Sequence, residues 1–336
     1  VAGNSEVLLK RFSLYLLINL FILLVFFFAA LSIGAVSISF SDLLQILTGT
    51  FPPGGIEYPV ILDIRLPRIL LAIAVGGGLS VAGAVFQAIV LNPLAEPYIL
   101  GVSSGGTFGV VLAFWLGLAF PIPQIMSFAG ASVVILLVLF LSSRFGEIDP
   151  NRLLLTGVMA GAFFAAAILL LMNLMNDSLR NILFWLTGSL SLADRDAVRY
   201  IFPLCIAVSV ILSLFSYQFN ILSLGDDQAK SLGLNPRKLK ITAYLLSSFL
   251  VGILVSVSGI IGFVGLIIPH VCRMIYGYDN RLVIPFSFFA GAVFLIAADL
   301  ISRTILAPAE IPVGAVTAVF GAPVFIYLLR KNFNWF

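Results

Sequence analysis

The chain has 336 residues, of which 61% are apolar and 10% charged, and its mean hydropathy is +1.16. Soluble domains run at roughly 45–50% and 25%, so this composition excludes a soluble globular enzyme. A formal net charge of +3 on scattered basic residues excludes a nucleic-acid surface. An all-α integral membrane protein is expected, one transmembrane domain covering 1–336 and bounded by membrane lipid.

Apolar runs near the ~20 residues that a bilayer core requires recur from end to end, and ten spans are expected, one of them short. Span 1 covers about 12–37 and follows Lys10-Arg11; it exceeds the ~7–15 residues of a signal-peptide core and is read as retained. SDLLQIL then reads as a short interfacial helix and PPGG as a turn. Span 2, about 65–90, opens with Arg65-Leu66-Pro67-Arg68 and is packed with small residues, Gly76, Gly77, Gly78, Ser80, Ala82, Gly83 and Ala84. In lipid such residues let helix backbones approach closely. Asn92-Pro93 and Glu96-Pro97 break the chain before span 3 (about 98–117); spans 4 (about 125–143) and 5 (about 153–172) flank the charged turn 144–152. An amphipathic connection, 173–195, precedes span 6 at about 197–217.

The stretch 218–240 is the only substantial polar interruption. It carries Asp226, Asp227, Lys230, Arg237, Lys238 and Lys240. Asp226 is expected to cap a short helix through Leu232, Gly233 to end it, and Asn235-Pro236 to open the next helix. Span 7 (about 241–260), the short span 8 (about 264–276), span 9 (about 283–302) and span 10, ending near 329, complete the chain.

Placing the N-terminus, the 144–152 turn, 218–240, the 273–281 turn and the C-terminus on one side collects 12 of the 18 Lys and Arg, including every lysine. The positive-inside tendency makes that side cytoplasmic, with both termini on it. Sliding the chain by 176 positions matches Val75/Val251, Gly76/Gly252, Ser80/Ser256, Val81/Val257, Gly83/Gly259 and Pro93/Pro269. Span 2 then corresponds to span 7, and spans 2–5 and 7–10 form an inverted repeat, a transporter architecture.

No GxxxxGK[ST], HExxH or GxSxG occurs, so the chain shows no machinery for nucleotide hydrolysis or other catalysis. GVSSGG (101–106) has no preceding strand and reads as a closely packed helix start. His270, the only histidine, has no metal-ligating neighbour and reads as a satisfied buried imidazole, so no metal site is expected. Cys205 and Cys272 read as buried thiols. Ionisable residues deep in the membrane are scarce, Asp299 being the closest to it, which argues that driving energy enters elsewhere. Arg65, Arg68 and Arg303 sit at the outer ends of spans 2 and 9, against the positive-inside tendency. Lipid anchoring, local pairs with Asp63 and Asp299, and docking of an acidic partner all fit them.

Taken together, RLPR (65–68), SVAGAVFQAIVLNPLAEPYILGVSSGG (80–106), GDDQAKSLGL (225–234), GIIGFVGLIIPHVCR (259–273) and AEIPVGAVTAVFGAPVFIYLL (309–329) resemble the permease subunits of FecCD-type ABC importers, in order from about residue 40 onward. The resemblance implies a homodimeric permease of the bacterial or archaeal cytoplasmic membrane that imports an iron chelate, haem or cobalamin. Two ATPase subunits would bind below, holding the ATP and magnesium, with no cofactor in this chain. An extracytoplasmic binding protein would dock above. By the same resemblance Gly225, Asp226, Asp227, Gln228, Ala229, Lys230, Leu232, Gly233 and Leu234 are the ATPase-coupling residues, with Leu232 packing. Arg65, Arg68 and Arg303 are the docking residues, Pro150, Asn151 and Arg152 fall at the cytoplasmic gate, and spans 5 and 10 line the path. An ion-coupled secondary transporter shares the inverted repeat and is the alternative; an intramembrane enzyme lacks paired catalytic residues.

Overall fold

The computed structural model describes residues 2–34, 38–48, 50, 55, 57–119, 121–144, 147–175, 179–191 and 195–331. The expected PPGG turn lies outside them except for Gly55. Apolar sequence without internal breakers gives α1 (Ala2–Ser32). Ser39 then caps α2 (Phe40–Leu47), its hydroxyl accepting from the Asp42 N–H at 3.1 Å. A short α3 (Glu57–Pro59) and a π-helical turn (Val60–Arg65) run without interruption into α4 (Leu66–Val90). Pro67 has no N–H to return to that turn, which is where the helix widens. There follow α5 (Val102–Trp115), α6 (Ile122–Ser142), α7 (Pro150–Asn173), α8 (Leu179–Leu186), α9 (Arg195–Leu214), α10 (Ser216–Leu222), α11 (Asp226–Ser231), α12 (Pro236–Ser258), α13 (Val264–Tyr276), α14 (Asn280–Thr304) and α15 (Val313–Lys331). The sole strands among the described residues are β1 (Ser143–Arg144) and β2 (Glu147–Ile148), a two-residue antiparallel ladder between α6 and α7.

Seven of these helices are long and apolar enough to cross a membrane, and three further apolar helices are shorter, 102–115, 264–276 and 313–328. The sequence led us to expect one short span; the difference lies in the breakers. Residues 91–101, with two prolines, stay irregular where span 3 was expected to begin, and Pro308 and Pro312 delay α15.

Side-chain contacts fix the direction of each helix. Gly78 of α4 meets Leu250 and Leu254 of α12, while Phe86 meets Tyr244, so the two helices run antiparallel. Gly76 meets Gly291 and Arg68 meets Asp299, so α14 is antiparallel to α4 as well. Phe12 lies on Phe286 and the Ala30 carbonyl on Arg303, making α1 parallel to α14. The same reasoning through Gly105/Val134 and Gly109/Met126, then Gly101/Gly157 and Phe108/Phe164, makes α5, α6 and α7 alternate. One face of the bundle therefore carries residue 10, the β1–β2 ladder, α11 and the α13–α14 turn; we call it the basic face. The other carries Arg68 and Arg303.

Almost every residue of α4 is buried, because its glycines admit neighbouring backbones. A Cβ on Gly76 would stand 2.2 Å from the Gly291 carbonyl oxygen, and one on Gly83 would stand 1.9 Å from that of Gly265. The helix ends bear on the expected 176-position offset. Val90 ends α4 and Ser258 ends α12, 168 positions apart. An offset of 176 would lay mid-helix Gly83 on Gly259, the C-cap of α12, so those identities do not mark equivalent positions.

Behind α4 and α12 the chain loses its helical hydrogen bonds, and the two irregular segments satisfy one another. Glu96 accepts from the Phe263 N–H at 2.8 Å and the Tyr98 hydroxyl accepts from the Ile261 N–H at 3.1 Å. The Trp185 carbonyl accepts from the Ile260 N–H. Non-helical backbone inside a membrane bundle persists only when it is answered in this way.

Candidate functional sites at the two ends of the bundle

On the basic face, α10 ends at Leu222 and α11 starts four residues later. Gly225, at φ 101°, holds the N-cap position, so Asp226 is the first helical residue and does not cap the helix as the sequence led us to expect. Its carboxylate instead meets Lys240 Nζ at 2.8 Å. Lys240 is only 4% exposed, and this pair ties the start of α11 to α12. The far end closes as expected. The Leu234 N–H reaches the Ala229 carbonyl at 3.0 Å and the Gly233 N–H reaches that of Lys230 at 2.9 Å. This is a Schellman closure with Gly233 left-handed at φ 82°. Asn235 then caps α12 by accepting from the Lys238 N–H at 3.0 Å, with Pro236 behind it.

α11 is thus a helix closed at its C-terminal end, tied to α12 at its start, and exposed along one side. Ala229 is buried, and Gly225, Asp226 and Leu234 are half-buried. Asp227, Gln228, Lys230, Leu232 and Gly233 face outward. Within this chain the packing residue is Ala229; Leu232, expected to pack, is 61% exposed. Lys230 stands 3.8 Å from Asp227, a loose pair on the open side.

Elsewhere on this face Asp149 caps α7, accepting from the Asn151 N–H at 2.8 Å and pairing with Arg152 at 3.4 Å, with Pro150 opening the helix. Asn151 and Arg152 are exposed. Above them α7 shows an uncovered apolar stripe, Leu155, Met159, Phe163 and Leu170, and α15 shows another, Phe320, Val324 and Tyr327. In the turn before α14, Asp279 accepts from the Asn220 amide at 2.7 Å and from Arg281 at 2.7 Å. Burial works to raise its pKa, but the Arg281 side chain, the Asn220 amide and the Arg281 N–H together hold the carboxyl below the usual range.

The opposite face is built differently. Arg65, Arg68 and Arg303 are all buried, each less than 8% exposed. Arg68 gives Nε to Asp299 at 2.8 Å and Nη1 to both Glu310 oxygens at 2.8 and 2.9 Å. Arg303 lies 3.6 Å from the other Asp299 oxygen and donates to the Ala30 carbonyl at 2.6 Å. Arg65 donates to the Leu31 and Ser32 carbonyls at 2.5 and 3.1 Å. Of the local pairs the sequence offered, Asp299 is real. Asp63 is taken by Arg195 at 3.1 Å, not by Arg65. Glu310, which the sequence reading passed over, is the half-exposed member of the cluster.

Comparison with known proteins places this geometry. Residues 22–331 match the FecCD transport family. The chain belongs to that family. It is 37% identical to the hemin transport system permease protein HmuU of Yersinia pestis over 93% of this chain and 94% of that protein. It is 36% identical to the vitamin B12 import system permease protein BtuC of Vibrio vulnificus over 96% of each. A solved inward-facing structure, described as a metal-chelate type ABC transporter, superposes with a TM-score of 0.84 at 34% identity, covering 93% of this chain and 97% of that one. This FecCD chain is therefore a multi-pass ABC-importer permease subunit and not itself an ATPase, which sets aside the ion-coupled and enzymatic alternatives. Membership of the family implies ATPase and binding-protein partners.

Proposed function

We propose that this FecCD permease carries an iron chelate, haem or cobalamin into the cytoplasm as a homodimer on two ATPase subunits, taking its cargo from an extracytoplasmic binding protein. The observation that carries the reading is α11, held to α12 through Asp226–Lys240, closed at its C-terminal end by Gly233 and exposed along Asp227, Gln228, Lys230 and Leu232. A short helix so braced transmits a push; a loose loop would absorb it. The basic face is cytoplasmic by its lysines, with both termini there. ATP binding closes the ATPase pair, α11 moves as one piece with the start of α12, and the two permease copies rock about their shared axis.

The three shorter apolar helices complete ten crossings, and the antiparallel α4 and α12 head two inverted halves, α4–α7 and α12–α15. The uncovered stripes of α7 and α15 line the path or meet the second copy, and Pro150, Asn151 and Arg152 stand at its cytoplasmic mouth. Docking of the binding protein uses Arg65, Arg68 and Arg303 by exchange: an incoming carboxylate takes the Arg68 donors that Glu310 now holds. The relatives named above serve haem and vitamin B12, so selection among cargoes falls to the binding protein.

Reconstitution in liposomes tests the reading. The permease with its ATPase, ATP and loaded binding protein accumulates cargo. Uptake by the permease alone in an ion gradient would sink it.

A further inference from the structure

A cavity of ≈ 330 Å³ opens on the basic face between the end of α4, α10 and the α13–α14 turn. Its lining includes Gln87, Leu91, Asn92, Ser223, Arg273 and Asn280, and of all the residues around it Arg273 alone is charged. Gln87 Oε1 accepts from Arg273 Nη1 at 2.5 Å, and the Gln87 amide is itself turned toward the Gly265 and Leu266 carbonyls at 3.4 and 3.3 Å. The guanidinium is thus aimed by one neutral acceptor. Among the described residues no carboxylate comes within 4 Å of it, whereas Arg68, Arg152, Arg195, Lys230, Lys240, Arg281 and Arg303 each have one. The nearest acid along the chain, Asp279, is held by Arg281 and Asn220.

A half-buried guanidinium answered by one amide oxygen keeps spare donors for a carboxylate arriving from outside. The rim has the matching form. Leu91 is exposed although apolar, its left-handed φ of 55° being the stop that ends α4. An exposed apolar side chain beside a half-buried cation is a common feature of interface anchors. Ser223 of the lining closes α10 two residues before Gly225, so the cavity opens on the same face as α11 and beside its entry.

We propose that the Arg273 cavity receives an acidic side chain of the ATPase subunit, a second anchor beside α11. The proposal rests on the coupling role given to α11 above, and the experiment separates the two. Permease and cognate ATPase are titrated in nanodiscs with Arg273→Gln, Arg273→Glu and, on α11, Asp227→Lys. Arg273→Gln weakens association about tenfold and Arg273→Glu more, and one lysine substitution among the acidic residues of the ATPase restores the Arg273→Glu complex. The melting temperature of the isolated Arg273→Gln permease stays level or rises, because an unanswered charge has gone. Unchanged affinity in Arg273→Gln, with Asp227→Lys weakened, overturns the cavity and leaves α11 standing. A melting temperature that falls in step with affinity makes Arg273 a structural residue and overturns the proposal. So does a defect seen only in nanodiscs containing anionic lipid and absent in purely zwitterionic ones, which would assign the cavity to an anionic lipid headgroup. If Arg273→Gln weakens the complex and Asp227→Lys does not, the cavity stands and the α11 reading fails.

Discussion

The two faces of this permease handle charge in opposite ways. On one, Arg65, Arg68 and Arg303 are sunk among α1, α4 and α14 and answered within the chain by Asp299, Glu310 and the carbonyls at the end of α1. On the other, Asp227 and Lys230 stand out in the open on a short helix that is closed at its C-terminal end and tied to α12 by Asp226. A charge answered inside the chain staples helices together, and its removal is felt as instability. A charge held out in water on a braced element costs the fold little, and its removal is felt in the partner. Burial of the counter-charge, more than the presence of charge, separates a staple from a contact.

The sharpest way to break that comparison is Asp299→Asn. Asp299 is 2% exposed and touches both Arg68 and Arg303, so neutralising it leaves two buried guanidinium groups short of their shared carboxylate. Breaking a buried pair from one side costs about 3–5 kcal/mol, and thermal unfolding in detergent should show a loss of that order. Asp227→Asn, on the other face, should leave the melting temperature where it was. Equal losses would erase the distinction.

Next in size is Gly233→Val. The left-handed φ of 82° at the end of α11 suits glycine, and a β-branched residue there costs roughly 1–2 kcal/mol locally. The Schellman closure loosens while the bundle, which α11 barely touches through Ala229, stays folded. Cargo-stimulated ATPase activity should fall several-fold with membrane insertion and melting unchanged; retained stimulation would mean that the rigidity of α11 is irrelevant to coupling. A smaller effect is expected from Glu310→Gln. Its pair with Arg68 is half in water and contributes on the order of 1 kcal/mol, but it competes for the donors that docking uses. The variant should bind the loaded binding protein a few-fold more tightly, with the melting temperature little changed. Weaker docking in Glu310→Gln would make Glu310 part of the contact itself.

How much of this was legible in the sequence follows from what a residue needs for its role. Gly233 and Asn235-Pro236 were readable because a helix end is a local event, decided within a few residues. The membrane class and the polar stretch 218–240 were readable because they are matters of composition. Asp226 misled because aspartate is a good cap in isolation; here Lys240, fourteen positions on and buried, draws it onto α12. Glu96 and Tyr98 were invisible as structural residues because the N–H groups they answer lie more than 160 positions away. Arg65, Arg68 and Arg303 stood out by type and place, but nothing in one sequence says that Glu310 already occupies Arg68. The matches at an offset of 176 misled for a related reason: glycine and serine recur wherever helices touch, and six matches, most of them among small residues, do not fix where a helix ends.

The smallest expected effect concerns Asp279, on the basic face yet answered like the opposite one. Arg281 and Asn220 hold its carboxyl below the usual range in the folded chain, while the unfolded chain titrates near ~3.9. A depressed folded pKa contributes stability above the unfolded value and loses it as pH falls through the folded one. The difference in melting temperature between the wild-type chain and Asp279→Asn should therefore be constant above about pH 5 and shrink toward zero as the pH is lowered past the aspartate range. Arg281 lies partly in water, so the difference is expected to be small throughout. A difference that grows on acidification would mean that the Asn220 amide binds the protonated form of Asp279 better than the charged one, and the turn before α14 would then be a site where a neutral side chain, not an ion pair, holds α10 to α14.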